Sequence, residues 1–171
     1  MKRALAITMI LAAGLPVAAR AQSPWDEAKK VAGSSSVSQL QKTVNKQLLD
    51  ESRKNQCSFK SGTDVLEPGC DKKMMKLANV LVDAKKKLNG AGVKNFKFVV
   101  SGHTDSSGNP EANRELSRKR AAVVERELVG KGIPAGEIES VGMAFDRPRV
   151  KPDDTPEKKA KNRRYEIQVK L

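Results

Sequence analysis

Residues 113–128 read NRELSRKRAAVVEREL, and eight positions before them stands the acid of the turn sequence GHTDSSGNP, residues 102–110. As an α-helix this stretch puts Asn113 and Arg120, seven residues apart, on one stripe about 10 Å long. Leu116 and Val124 share the stripe and are suited to fixing the helix on a sheet. The start of the helix is explicit: Asn109 offers a side-chain oxygen to free amides, and Pro110 fills a first-turn position that needs no donor. Asp105 then falls in the loop feeding the helix, where it and Arg120 can face each other across one small cleft. That pairing suits a zwitterionic ligand, although a plain Asp105–Arg120 salt bridge pinning loop to helix would use the same residues.

Working outward, strands and helices alternate. Cys57 to Lys60 is expected as a short strand, and Cys70 to Leu88 as a helix with Met74, Leu77, Ala78, Leu81 and Leu88 inward, ended by Gly90 and Gly92. Asn95 to Ser101 carries Phe96, Phe98 and Val100 on one face and Lys97 and Ser101 on the other, the pattern of a sheet covered on one side. After the Asn113 helix, which stops near Gly130 and Gly132, Glu137 to Met143 is a third strand. A charged, proline-containing loop runs to Lys161. The last strand, Arg163 to Leu171, points Tyr165, Ile167 and Val169 inward, and its parity sends Arg163 to the core side and Arg164 outward. The predicted order is βαβαββ, a two-layer α/β sandwich with a small mixed sheet covered by helices on one face.

At the other end, Lys2 and Arg3 precede an apolar run from Ala4 to Ala13, followed by Gly14, Pro16 and Ala19-Arg20-Ala21. This reads as a secretory signal over residues 1–21, cleaved before Gln22. The run is shorter than the ~20 apolar residues a span needs, and no later stretch is apolar enough, so no transmembrane segment is expected after signal removal. Residues 22–55 form a second unit. A polar leader ends in Gly33-Ser34-Ser35, and an amphipathic helix, capped by Ser36, carries Val37, Leu40, Val44 and Leu48. That narrow stripe suits packing on its own domain, or docking an envelope protein partner or a second copy through residues 36–55, with a disordered tether as the remaining reading. Residues 56–171 are the remaining domain.

Charge and composition narrow the function. Of 33 basic side chains, loss of Lys2, Arg3 and Arg20 with the signal leaves 30 against 20 acidic ones, a net of +10. Such a chain is drawn to anionic polymers and surfaces. Export, few aromatics and the lack of a reader motif argue against nucleic acid. His103 is the sole histidine. Two residues from Asp105 on an emerging strand, it shares no nucleophile-bearing elbow with that acid, so an enzyme is not expected. One histidine and two separated cysteines make no zinc site, and no cofactor is expected. Cys57 and Cys70, both in the exported part, are either a bridge, favoured by an oxidising compartment and by strand parity, or two buried thiols. A bridge would close a loop of about 14 residues and contribute about 3 kcal/mol.

Written with gaps, Asn113-x2-Leu116-Ser117-x2-Arg120-Ala121-x2-Val124-x3-Leu128 resembles the signature of the OmpA-like C-terminal domain family, the peptidoglycan-binding module of outer-membrane proteins, Pal lipoproteins and flagellar stators. Gly102-His103-Thr104-Asp105-x2-Gly108 is similar to that family's glycine-aromatic-Thr-Asp turn, and Asn162-Arg163-Arg164-Tyr165-Glu166-Ile167 to its terminal strand. The resemblance implies a non-catalytic wall binder in the periplasm of a Gram-negative bacterium, associated with the wall or outer membrane. Its partner would be peptidoglycan, recognised through meso-diaminopimelate of the stem peptide. Asp105 would take the ammonium and Arg120 the carboxylate, which the planar guanidinium matches with two hydrogen bonds. Thr104, Asn113 and Leu116 would add contacts, with His103, Arg163 and Arg164 as possible supports and the amides of loop 104–109 helping to hold the carboxylate. One departure is visible: many relatives carry Asp or Asn just after the phenylalanine of the first strand, where this chain has Lys60, Ser61 and Gly62 after Phe59.

Overall fold

The computed structural model describes the backbone of residues 24–60 and 62–171. The signal expected over residues 1–21 lies outside these residues. Helix α1 (Pro24–Lys54) is followed by α2 (Asp71–Gly90), β1 (Lys97–His103), α3 (Pro110–Gly130), a 3-10 turn (Ala135–Glu137), β2 (Ile138–Gly142), α4 (Pro156–Asn162) and β3 (Arg164–Lys170). The strands form one mixed sheet in the order β2-β1-β3. β1 runs parallel to β2 with Phe98 opposite Ile138, and antiparallel to β3 with Phe98 opposite Val169. One face of the sheet supplies Phe98, Val100, Ile138, Tyr165, Ile167 and Val169 to the core, and Met74, Leu77, Leu81 and Leu88 of α2 and Val124 and Leu128 of α3 close over it. This is the α/β two-layer sandwich, built on three strands rather than four.

The expected first strand does not form. Its residues reduce to one bridge, Phe59 opposite Leu66, inside a turn where Lys60 N–H donates to Val65 O at 2.8 Å. Without that strand, β3 is a sheet edge, and an open edge leaves unpaired backbone groups. Polar side chains of α1 and the segment after it pair them. Asn45 Oδ1 accepts from Val169 N (2.6 Å), Gln41 and Asn45 donate to Val169 O (3.2 Å each), and Ser52 Oγ accepts from Ile167 N (3.2 Å). Gln56 donates to Tyr165 O (2.7 Å) and accepts from Tyr165 N (3.2 Å). Val44 and Leu48, both buried, and Leu40 beside them pack on the core.

Helix α1 also corrects the reading of the leader. Residues 24–35 are helical, Gly33, Ser34 and Ser35 included, and Ser36 is no cap: its hydroxyl donates back to Gly33 O at 2.8 Å inside the helix. Short polar side chains can satisfy backbone groups in either setting, so the local cue did not decide between them. No helix among the described residues is long and apolar enough to cross a membrane.

Two glycines set how closely α3 approaches the sheet. A Cβ at Gly102 in β1 would meet Ser117 O at 2.2 Å, and one at Gly142 in β2 would meet the Arg118 amide nitrogen at 2.6 Å. The backbone of α3 therefore rests directly on two strands. That contact fixes the rotation of the helix and the direction of Asn113, Leu116 and Arg120.

Candidate functional site

Where β1 and the loop leading to α3 meet the N-terminal edge of β3, a cleft of about 690 Å³ opens, lined among others by His103, Thr104, Asp105, Asn113, Leu116 and Arg120. Arg163 and Arg164 line it as well, so every proposed ligand residue reaches one pocket. Asn109 caps α3 as expected, its Oδ1 accepting from the amides of Glu111 (2.8 Å) and Ala112 (3.1 Å). Asn113 Nδ2 donates to Ser107 O (2.7 Å), tying loop to helix.

Asp105 is not paired with Arg120. Its Oδ2 accepts from Arg163 Nη1 at 2.8 Å and its Oδ1 from Ser107 N at 3.0 Å. Burial raises the carboxyl, but these two partners outweigh it and hold Asp105 below the usual aspartate range, ionised at neutral pH. Each oxygen keeps a further lone pair for a ligand ammonium. Arg120 lies over the Phe59 ring, 4.9 Å from its centre, and its Nε donates to Thr63 O at 2.9 Å. Among the described residues no hydrogen-bond partner occupies its two terminal nitrogens, the pair that forks a carboxylate. Burial and Arg163 lower the guanidinium pKa, opposed by Asp105 and Asp64, and an arginine so placed stays cationic.

Arg164 keeps the face opposite Tyr165, Ile167 and Val169 that alternation gives it, whereas Arg163 lies outside β3 and does not turn to the core side. Arg163 precedes the strand as the C-cap of α4, leaving its side chain 45% exposed, whereas Arg164 opens β3 with its side chain 7% exposed, bonded to Glu166 at 2.8 Å. Three of the loop amides are engaged within the protein. Thr104 N donates to Ala144 O, Ser106 N to Asp153 Oδ2 and Ser107 N to Asp105. Polar atoms that do lack partners are side chains: Thr104 Oγ1 and both ring nitrogens of His103 are buried and unbonded among the described residues. Burial, with Arg164 beside it and against the opposing pull of Glu166, lowers His103 to about 4, so the ring is neutral at pH 7. With Asp105 held by Arg163, the two make no catalytic pair. Among the described residues no group of three or more His, Cys, Asp or Glu is placed to hold a metal ion.

Several lining residues escaped the sequence reading. Helix α4 arises in the expected loop, started by Thr155 Oγ1 accepting from Lys158 N (3.3 Å) and by Pro156, the same signal that Asn109-Pro110 gives for α3. Its last residue, buried Asn162, accepts from the amides of Arg149 and Val150 and donates to Asp153. Asp153 in turn accepts from Ser106 N and Oγ, bonds that hold its carboxyl down to about 2 and bind the 104–109 loop to the far wall. That wall carries Arg149 and Lys161. The near wall is the turn of Phe59 and Gly62, with Thr63 O as acceptor for Arg120.

Cys57 and Cys70 are free, buried thiols in this structure, without the bridge considered from the sequence. Cys57 Sγ donates to Cys70 O at 3.8 Å, and burial together with the neighbouring thiol pushes Cys57 up to about 12.

The three-stranded mixed sheet with α2 and α3 closed over one face, α3 seated on two glycines, defines an α/β domain class. The OmpA family model matches residues 58–163, and the chain belongs to that family, whose domains are binding modules and not enzymes. Among curated proteins, Peptidoglycan-binding protein ArfA of Mycobacterium tuberculosis is 38% identical over 73 residues, which are 43% of this chain and 22% of that protein. The chain thus spans about a fifth of that relative's length. Among solved structures, the C-terminal domain of Helicobacter pylori MotB aligns with a TM-score of 0.55 at 23% identity, covering 68% of this chain and 84% of that one. The peptidoglycan-associated lipoprotein of Burkholderia pseudomallei aligns at 0.52 and 22%, covering 66% and 86%. Both likenesses are of fold.

Proposed function

We propose that residues 56–171 bind peptidoglycan without catalysis, through the diaminopimelate of the stem peptide, and so hold the chain at the cell wall in the periplasm of a Gram-negative envelope. The observation that carries this reading is the single pocket in which a carboxylate with spare lone pairs, Asp105, and a guanidinium with two unengaged nitrogens, Arg120, come together. A carbon bearing both ammonium and carboxylate meets both at once. The unbonded Thr104 hydroxyl and the neutral His103 ring supply further polar contacts, and Leu116 gives the ligand's methylene chain an apolar surface. Family membership and the relative named for peptidoglycan binding support the polymer. The folded protein is expected to pellet with purified sacculi, and free diaminopimelate to release it. A folded protein that stays in the supernatant at low salt overturns the reading.

A further inference from the structure

The pocket holds more positive charge than a zwitterion can answer. Arg53, Arg120, Arg149, Lys161, Arg163 and Arg164 line it against one carboxylate, Asp105. Arg164 is neutralised by Glu166 at 2.8 Å and Arg53 lies 3.5 Å from Asp50. Arg149 and Lys161 have no side-chain partner among the described residues, and the backbone that carries them is fixed by buried Asn162. Arg163 is held only by Asp105, the group a ligand ammonium would share, so ligand entry weakens its one ion pair. A bound zwitterion adds one charge of each sign and leaves this excess as it was. Thr104 Oγ1 and the His103 ring nitrogens, on residues that line the same pocket, are buried without a partner among the described residues.

We infer that the pocket takes a net-anionic ligand, in which the zwitterionic carbon is accompanied by a second carboxylate held by Arg149, Lys161 and Arg163. This rests on the diaminopimelate reading: diaminopimelate alone balances its two carboxylates with two ammonium groups, and it becomes net-anionic when its second amino group is amide-linked to a residue that brings a further free carboxylate. The two exposed cations make this an ion pair of the surface type strengthened by Arg163, for which a gain of about 3- to 10-fold in affinity is expected.

The test uses isothermal titration of the folded chain with three probes: free diaminopimelate, γ-glutamyl-diaminopimelate, and the same dipeptide with its α-carboxylate converted to the carboxamide. Wild type is expected to bind the dipeptide about 3- to 10-fold more tightly than its amide. The double variant Arg149→Gln, Lys161→Gln should remove most of that difference while binding free diaminopimelate as before; urea unfolding checks that its fold is kept. Equal affinity of wild type for dipeptide and amide overturns the second subsite and leaves the diaminopimelate reading standing. A double variant that keeps the full preference, or loses free diaminopimelate in step, also overturns it. Absence of binding to all three probes overturns both readings.

Discussion

Replacing Asp105 with Ala separates a pocket from mere basicity, because the two mechanisms predict opposite signs. The substitution removes an acid and makes a chain of net charge +13 one unit more positive. Attraction of a basic protein to an anionic wall then stays equal or grows. Loss of the ammonium partner instead removes one charge-assisted hydrogen bond, about 1.5 to 3 kcal/mol, or roughly 10- to 150-fold in affinity. The fold should hardly notice. Asp105 gives up a bond to Arg163, whose side chain is 45% exposed, and one to the exposed Ser107 amide, which water can replace. With the Arg163 side chain 45% exposed and that of Asp105 13%, the pair is open to solvent on one side and is worth about 1 kcal/mol, a few degrees in melting temperature for a domain of this size. The assay is co-sedimentation with sacculi across salt, since the screening length falls from about 10 Å at 0.1 M to about 3 Å at 1 M and long-range attraction fades with it. Arg120→Ala should lose binding as Asp105→Ala does, while Lys86→Ala on the exposed face of α2, which changes charge as Arg120→Ala does, should not. If Asp105→Ala pellets like wild type at moderate salt with its fold intact, the pocket is not the site.

Other consequences are open to direct measurement. Gly102→Ala must push Ser117 and α3 away from β1, and urea titration should show a loss of about 1 to 3 kcal/mol or more, together with weakened ligand binding because Arg120 rides on the same helix. Ser52→Ala leaves the Ile167 amide without a partner at the edge of β3 and should cost about 1 to 3 kcal/mol in the same assay; an unchanged midpoint would show that the helix does not serve that edge. His103 has its pKa lowered from 6.5 to about 4 on folding, so the unfolded chain binds its proton first. Its contribution to stability is complete above pH 6.5 and is lost as pH falls toward 4, and His103→Gln should flatten the pH dependence of unfolding in that window. In reduced protein, burial keeps the Cys57 thiol protonated at pH 8, so alkylation should be slow until denaturant is added. Protein taken from an oxidising compartment is expected instead to carry the Cys57–Cys70 bond, which mass spectrometry detects as two missing hydrogens.

What the sequence made legible was whatever short-range chemistry decides. Asn109-Pro110 announces a helix start whatever surrounds it, and the apolar spacing of Met74, Leu77, Leu81 and Leu88 buries the face it marks. Alternation in Phe98 and Val100, and in Tyr165, Ile167 and Val169, likewise gave the core face of the sheet. Thr155-Pro156 carries the same helix signal as Asn109-Pro110, hidden only by the charged composition around it. The pairing inside the site was not legible. Spacing places Asp105 and Arg120 beside one cleft, but whether Asp105 takes Arg120 or Arg163 depends on where β3 begins. Because β3 begins at Arg164, Arg163 escapes strand alternation and reaches Asp105 instead of the core side.

The absence of a first strand bears directly on function. A strand from Cys57 to Lys60 would have paired with an edge and sent its own side chains to fixed faces; in its place α1 lays amide and hydroxyl side chains along β3. Gln41, Asn45 and Ser52 recur at four and seven residues, a spacing that reads as an ordinary solvated helix face until a strand is found beside it. The helix then runs on to the pocket, where Arg53 and Gln56 join the lining, and the chain freed from strand geometry turns at Phe59 to place a ring under Arg120. One stretch of chain therefore closes the sheet and orients the arginine. Shortening α1 should weaken ligand binding and stability together, whereas a domain that merely trails a tether would lose neither.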